Sequence, residues 1–140
     1  MDVLSKPILS ATAVTEGIAS AVSSAADAGL ALTIAVVDDG GNLKAFVRMD
    51  GAPLISVRTA QRKAFAAAAI GIPPDAFFDA IQADAGAVAS FSSRDELALI
   101  GGGVPIRRDG HLIGGIGVAG AMTAAEDRQI ADVLAAAISG

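Results

Sequence analysis

Two tight-turn signals constrain this chain more than any other feature in it. In "LTIAVVDDGGNLKAFVRM" the cluster Asp38-Asp39-Gly40-Gly41-Asn42 separates two runs of β-branched and apolar residues, and in "VPIRRDGHLIGGIGVA" the pair Asp109-Gly110 does the same. Residues of these types supply the positive φ angles of a tight reversal, so each stretch reads as a β-hairpin. Strands that arrive as hairpins build an antiparallel sheet, whereas β-α-β crossovers would build a parallel one.

The intervening segments are helical by spacing. Ile8, Ala11, Val14, Ile18, Ala21, Val22 and Ala25 recur at helical intervals between Ile8 and Ala28, and Gly29 follows as a stop. Pro53 suits a first helical position, and "PLISVRTAQRKAFAAAAI" continues until Gly71 and the Pro73-Pro74 pair end it. A short helix is expected from Pro74 to about Ile81, then a loop with at most one helical turn from Ala83 to about Glu96. Thr123-Ala124-Ala125-Glu126 is a capping-box pattern, opening a last helix with Ile130, Val133, Leu134, Ala137 and Ile138 on one face. The expected fold is therefore α+β: an antiparallel sheet of about five strands with helices packed on it. At 140 residues the chain has the length of a single domain, residues 1–140.

The stretch "GGIGVAG" contains Gly115-x-Gly117-x-x-Gly120, a literal match to the dinucleotide-binding fingerprint. Only about twenty residues follow it, all needed for the terminal helix, so no second parallel strand remains to complete a dinucleotide-binding unit. Gly114, Gly115 and Gly117 read instead as places of close approach, which would let the Ala-rich helix lie hard against the sheet. Small-residue faces of this kind on the long helix and the strand also suit self-association.

Composition removes several function classes. Cysteine is absent and His111 is the only histidine, which leaves no thiol chemistry, no His-rich metal cluster and no arguable Ser-His-Asp arrangement. With 15 acidic against 10 basic residues and neither Trp nor Tyr, the chain lacks the basic footprint and stacking platforms of a nucleic-acid binder. The glycine runs carry no following Lys-Ser or Lys-Thr, so no phosphate-binding loop is present. Neither a signal peptide nor an apolar run of roughly 18 to 20 residues is evident, and the expectation is a cytoplasmic protein without a membrane partner.

A few polar residues stand out against this apolar background. Spacing puts Arg58 and Gln61 on the helix face of Leu54 and Phe65, with Arg62 at its border. Read as a core-facing stripe, that face requires partners for its charges. They would be either an anionic ligand group such as a carboxylate or propionate, or acidic residues of this chain or a neighbouring one. Lys63 falls opposite Leu54 and looks solvated or interfacial. Asp127 borders the apolar face of the last helix, where the helix dipole accounts for a carboxylate and where it could also serve as a base or an anchor for Arg58 or Lys63. His111 directly follows a turn and is expected to be exposed, while Met49 and Met122 end apolar strands and are expected to pack. None of the three is a convincing axial iron ligand.

Arg62-Lys63-Ala64, Gly102-Gly103-Val104-Pro105-Ile106, Asp109-Gly110, Gly114 to Gly120 and Glu126-Asp127 occur in that order. Together they resemble the GlcG/HbpS-like family of small haem-binding-like proteins, over nearly the whole chain. The resemblance implies a profilin-like sheet, a homo-oligomer of dimer size or larger, and a small-molecule ligand, with haem or a related tetrapyrrole as the candidate cofactor. It also draws attention to Lys63, as a cation for a ligand carboxylate or, if buried, a base with a lowered pKa. Three functions stay open. One is binding, with or without degradation, of haem held through its propionates by Arg58, Arg62 and Lys63. Another is a cofactor-independent enzyme acting by proton transfer on a small oxygenated metabolite. It would use Lys63 or Asp127 as base, Arg58 or Arg62 as clamp, and the amides around Gly102, Gly103, Gly117 and Gly120 as oxyanion donors. The third is a non-catalytic accessory subunit.

Overall fold

Both predicted reversals form. In the computed structural model, which describes residues 1–139, strand β1 (Thr33–Asp38) turns into β2 (Leu43–Arg48). Asp38 organises that turn, its Oδ1 accepting from the Gly40 and Asn42 amides at 2.9 Å each. Strand β3 (Gly103–Arg108) turns into β4 (His111–Ala119) through Asp109 and Gly110, whose φ angles of 50° and 80° fit a two-residue hairpin turn. The strands lie in the order β2-β1-β4-β3, and every neighbouring pair is antiparallel.

The sheet has four strands where about five were expected. The apolar residues 97–100 form no strand, and Gly102, at φ 117°, ends the ladder just before β3. A helix, α4 (Ala85–Ser92), also replaces the expected loop, with Asp84 capping it by accepting from the Ala87 amide at 3.1 Å. No residue of α4 is fully buried, and its half-buried face, Ala87, Val88 and Phe91, is too short to stand out as a helical pattern. The remaining helices, α1 (Ala11–Asp27), α2 (Ile55–Ile70), α3 (Pro74–Ile81) and α5 (Ala124–Ser139), occupy the expected segments. Among the described residues no single helix is long and apolar enough to cross a membrane.

The two faces of the sheet are covered differently. Ile34, Val36, Ile106, Ile116 and Val118 pack with Val14, Ala21 and Ala25 of α1 and with Ile130, Leu134 and Ile138 of α5, forming the main core. The opposite face meets mainly α2, where Ala35, Val37 and Ala119 pack on Ala60, Ala64 and Ala68, with Pro74 of α3 against Gly103. Contact there is unusually close. A Cβ at Gly117 or Gly115 would collide with the carbonyl oxygens of Ala60 or Ala64, so glycine at these two positions is what admits the helix. Gly114 points the other way, against the Val37 carbonyl, Leu9 and Ile106.

This packing inverts the expected orientation of α2. The core face is the small-residue stripe, and the face carrying Leu54 looks outward, leaving Leu54 75% exposed. Large apolar residues suggested the wrong face because glycines on the sheet leave room for alanine alone. The small-residue faces that suited self-association therefore meet each other inside one chain.

Candidate functional site

The outward face of α2 borders a cleft of about 420 Å³. Helix α2 supplies Arg58, Gln61, Arg62 and Phe65, the first hairpin supplies Val37, Gly41 and Leu43, and Asp95 and Glu96 follow α4 at the rim. Local geometry explains the hairpin's proximity. Gly41, at φ 81°, lies so close to the Phe65 ring that a Cβ there would stand 2.6 Å from it. Phe65, Val37 and Leu43 make an apolar wall, and the two arginines stand one helical turn apart beside it.

The arginines share one carboxylate. Arg62 Nη2 donates to Asp95 Oδ1 at 2.8 Å, and Arg58 Nη2 lies 3.7 Å from Asp95 Oδ2. Glu96 is engaged separately by Arg94, at 2.6 Å from Nη2 and 2.8 Å from Nε. A hydrogen bond from its own backbone, then that guanidinium, hold the Glu96 carboxyl below the usual carboxylate range. Gln61 Nε2 donates back to the Val57 carbonyl at 3.1 Å. Chemically, the cleft offers an apolar surface beside two paired cations, a combination suited to a flat or apolar ligand with carboxylate arms.

Lys63 and Asp127 lie elsewhere, and they meet each other. Spacing made Lys63 an outward residue, yet it is 1% exposed, with Nζ donating to the Val118 carbonyl at 2.8 Å and to Asp127 Oδ2 at 3.1 Å. The other oxygen of Asp127 accepts from the Ala121 amide at 3.0 Å. Burial pushes the Lys63 ammonium pKa down, against the attraction of Asp127. Burial likewise pushes Asp127 up, against the Ala121 amide and Lys63. The pair joins α2, the end of β4 and the first turn of α5.

The predicted glycines serve backbone packing around these groups. A Cβ at Gly102 would stand 2.5 Å from the Val118 oxygen and 2.7 Å from Lys63 Nζ, and one at Gly103 would stand 2.8 Å from the Lys63 oxygen and from Pro74. Gly120, at φ 122°, lies against Ala31 and Leu32, and Gly117 against α2. Of the residues singled out by sequence, Arg58 and Arg62 line the cleft. Lys63, Asp127, Gly102, Gly103, Gly117 and Gly120 do not. His111 is exposed after its turn as expected. Met122, expected to pack, is 95% exposed beyond the end of β4, and Met49 is half-buried with its sulfur 3.5 Å from the Leu32 amide.

Sequence reasoning missed Asp95, Glu96 and the hairpin wall. Asp95 and Glu96 sit in an aperiodic stretch, and their only signal is acidic character complementary to two helical arginines. The approach of Gly41 to Phe65 joins segments distant in sequence and left no local mark.

Comparison with known proteins agrees with this architecture. A family model described as haem degrading protein HbpS-like matches residues 9–136. A double variant of HbpS from Streptomyces reticuli superposes with a TM-score of 0.86 at 30% identity, covering 96% of this chain and 89% of that one. The crystal structure of a PduOC–haem complex gives 0.85 at 28% identity, covering 94% and 95%. The corrinoid adenosyltransferase PduO of Salmonella typhimurium is 31% identical over 121 residues, 86% of this chain. The matched part is only 36% of that protein's length.

Proposed function

The chain belongs to the HbpS-like family, and from that premise we propose that it binds haem in the cleft beside α2, with Arg58 and Arg62 receiving the propionates. The observation that carries this reading is the placement of two guanidinium groups one helical turn apart beside the apolar wall of an otherwise polar cleft. The PduOC–haem complex, a relative with nearly the same coverage of both chains, supports the choice of ligand. Cation and propionate can form bidentate, charge-assisted hydrogen bonds, and Phe65, Val37 and Leu43 provide a surface for the macrocycle.

The fit is to the edge and plane of the macrocycle rather than to its iron. Among the described residues no His, Met, Cys or Tyr lines the cleft, so Arg58 and Arg62 would hold the ligand by its propionates and the apolar wall would face the macrocycle. Bound haem would supply the redox-active centre and the visible chromophore. In this reading Lys63 and Asp127 hold the scaffold behind the cleft, and the glycines set the depth at which α2 lies. The protein works as a homo-oligomer, for which the exposed Leu54 and Ile55 offer apolar surface.

Haemin titration tests the proposal. Wild-type protein is expected to give a saturable Soret shift, and an Arg58→Ala, Arg62→Ala double variant to bind about a hundredfold more weakly through loss of two charged hydrogen-bonding groups. A non-saturating response, equal in the two proteins, would remove haem from consideration.

A further inference from the structure

We propose that Asp95 is a built-in competitor for the cleft, a carboxylate of the chain itself that occupies the anion position between Arg58 and Arg62 and yields it to a carboxylate-bearing ligand. The inference rests on the reading of the cleft as a haem site and adds how that site discriminates. Its starting observation is the sharing of one carboxylate: Asp95 Oδ1 lies 2.8 Å from Arg62 and Oδ2 lies 3.7 Å from Arg58.

The two sides of this contact are anchored unequally. Arg62 projects from α2, which is packed on the sheet through Ala60, Ala64 and Ala68, and its side chain is 32% exposed, whereas Arg58 on the same helix is 71% exposed. The Asp95 side chain is 83% exposed, so water solvates it readily when it leaves. Its segment is lightly held as well. Helix α4, just before it, has no fully buried residue and is held by half-buried Ala87, Val88 and Phe91, the last edge-on to Phe77, and just after it Leu97, Leu99 and Ile100 border a hollow of about 350 Å³ against Phe78 and Phe91. The segment can therefore shift without opening the main core.

Exchange of one carboxylate for another preserves the charge balance at the arginines, whereas an uncharged apolar ligand would have to part Asp95 from them without replacement. Asp95 thus selects for ligands with carboxylate arms and holds the two arginines of the empty cleft partly neutralised. Chemically, the class selected is the flat or apolar carboxylic acid.

The test is an Asp95→Asn variant, which keeps the side-chain shape at an exposed position and removes the charge. Haemin binding followed by absorption, and isophthalate binding followed by calorimetry, are compared between wild type and variant. Asp95→Asn is expected to tighten both about fivefold, the size of an exposed ion pair. In an Arg58→Gln, Arg62→Gln background the same substitution is expected to give no gain in haemin binding. Unchanged affinity in Asp95→Asn, no binding of either probe by it, or a gain that persists without the arginines would each overturn the proposal. If haemin binds neither protein while isophthalate is tightened by Asp95→Asn, the haem reading falls and the role of Asp95 stands.

Discussion

Lys63 and Asp127 are two buried charges that hydrogen-bond to each other, with Asp75 near enough to Lys63 to favour its charged form. Each was visible in the sequence, Lys63 through the Arg62-Lys63-Ala64 run and Asp127 as an acid bordering an apolar face. Their partnership was not, because they stand 64 residues apart in the chain. Breaking such a pair from one side leaves the other charge buried and alone. Lys63→Met is expected to lower unfolding stability by about 3–5 kcal/mol in urea denaturation, and Lys63→Met with Asp127→Asn to recover most of it. Asn retains an oxygen for the Ala121 amide, which is why it is preferred to Leu. The pH dependence separates the variants further. Asp127 is already raised above its ordinary 3.8 by burial, and losing Lys63 raises it more. A folded-state pKa above the unfolded one contributes stability that is full below pH 3.8 and is lost as pH rises through the folded value. The single variant should therefore weaken progressively on leaving acid, and the double variant should not show that loss.

At the scale of elements, the contact between α2 and β4 is set by what is missing from the side chains. Ala60, Ala64 and Ala68 meet glycines and alanines of the sheet, and the helix rests at nearly backbone distance. Gly117→Ala drives a methyl group into the Ala60 carbonyl, and the helix must lift from the sheet. A loss of about 3 kcal/mol is expected, whereas Gly110→Ala, with open space around it and a φ of 80°, should lose about 1 kcal/mol from backbone strain alone. Denaturation midpoints at unchanged m-value distinguish the two. The same contact explains how the sequence misled. Its pattern showed a long helix and a glycine-rich strand correctly, and their close approach followed from Gly115 and Gly117. Which side of the helix faced inward did not follow, because Leu54 and Phe65 look like core residues until the depth of the groove is known.

Over the whole molecule, protection should follow the layering. Strands β1 and β4 are central in the sheet and covered on both faces, while α4 has no fully buried residue. Native-state hydrogen exchange is expected to show α4 amides exchanging first and those of β1 and β4 last; equal protection would mean that the Asp95 segment is held more firmly than its packing indicates. Turn chemistry alone determined the hairpins, since Asp38 to Asn42 and Asp109-Gly110 act on their own neighbours. Local periodicity, caps and proline likewise determined four of the five helices among the described residues. Those are short-range interactions, carried within a few residues of sequence. Only the tertiary structure decided the number of strands, the inward face of α2, the pairing of Lys63 with Asp127, and the cleft in which Arg58 and Arg62 meet Asp95. Each of these depends on how closely two distant backbones approach, and that distance is set by the glycines and alanines of both partners together.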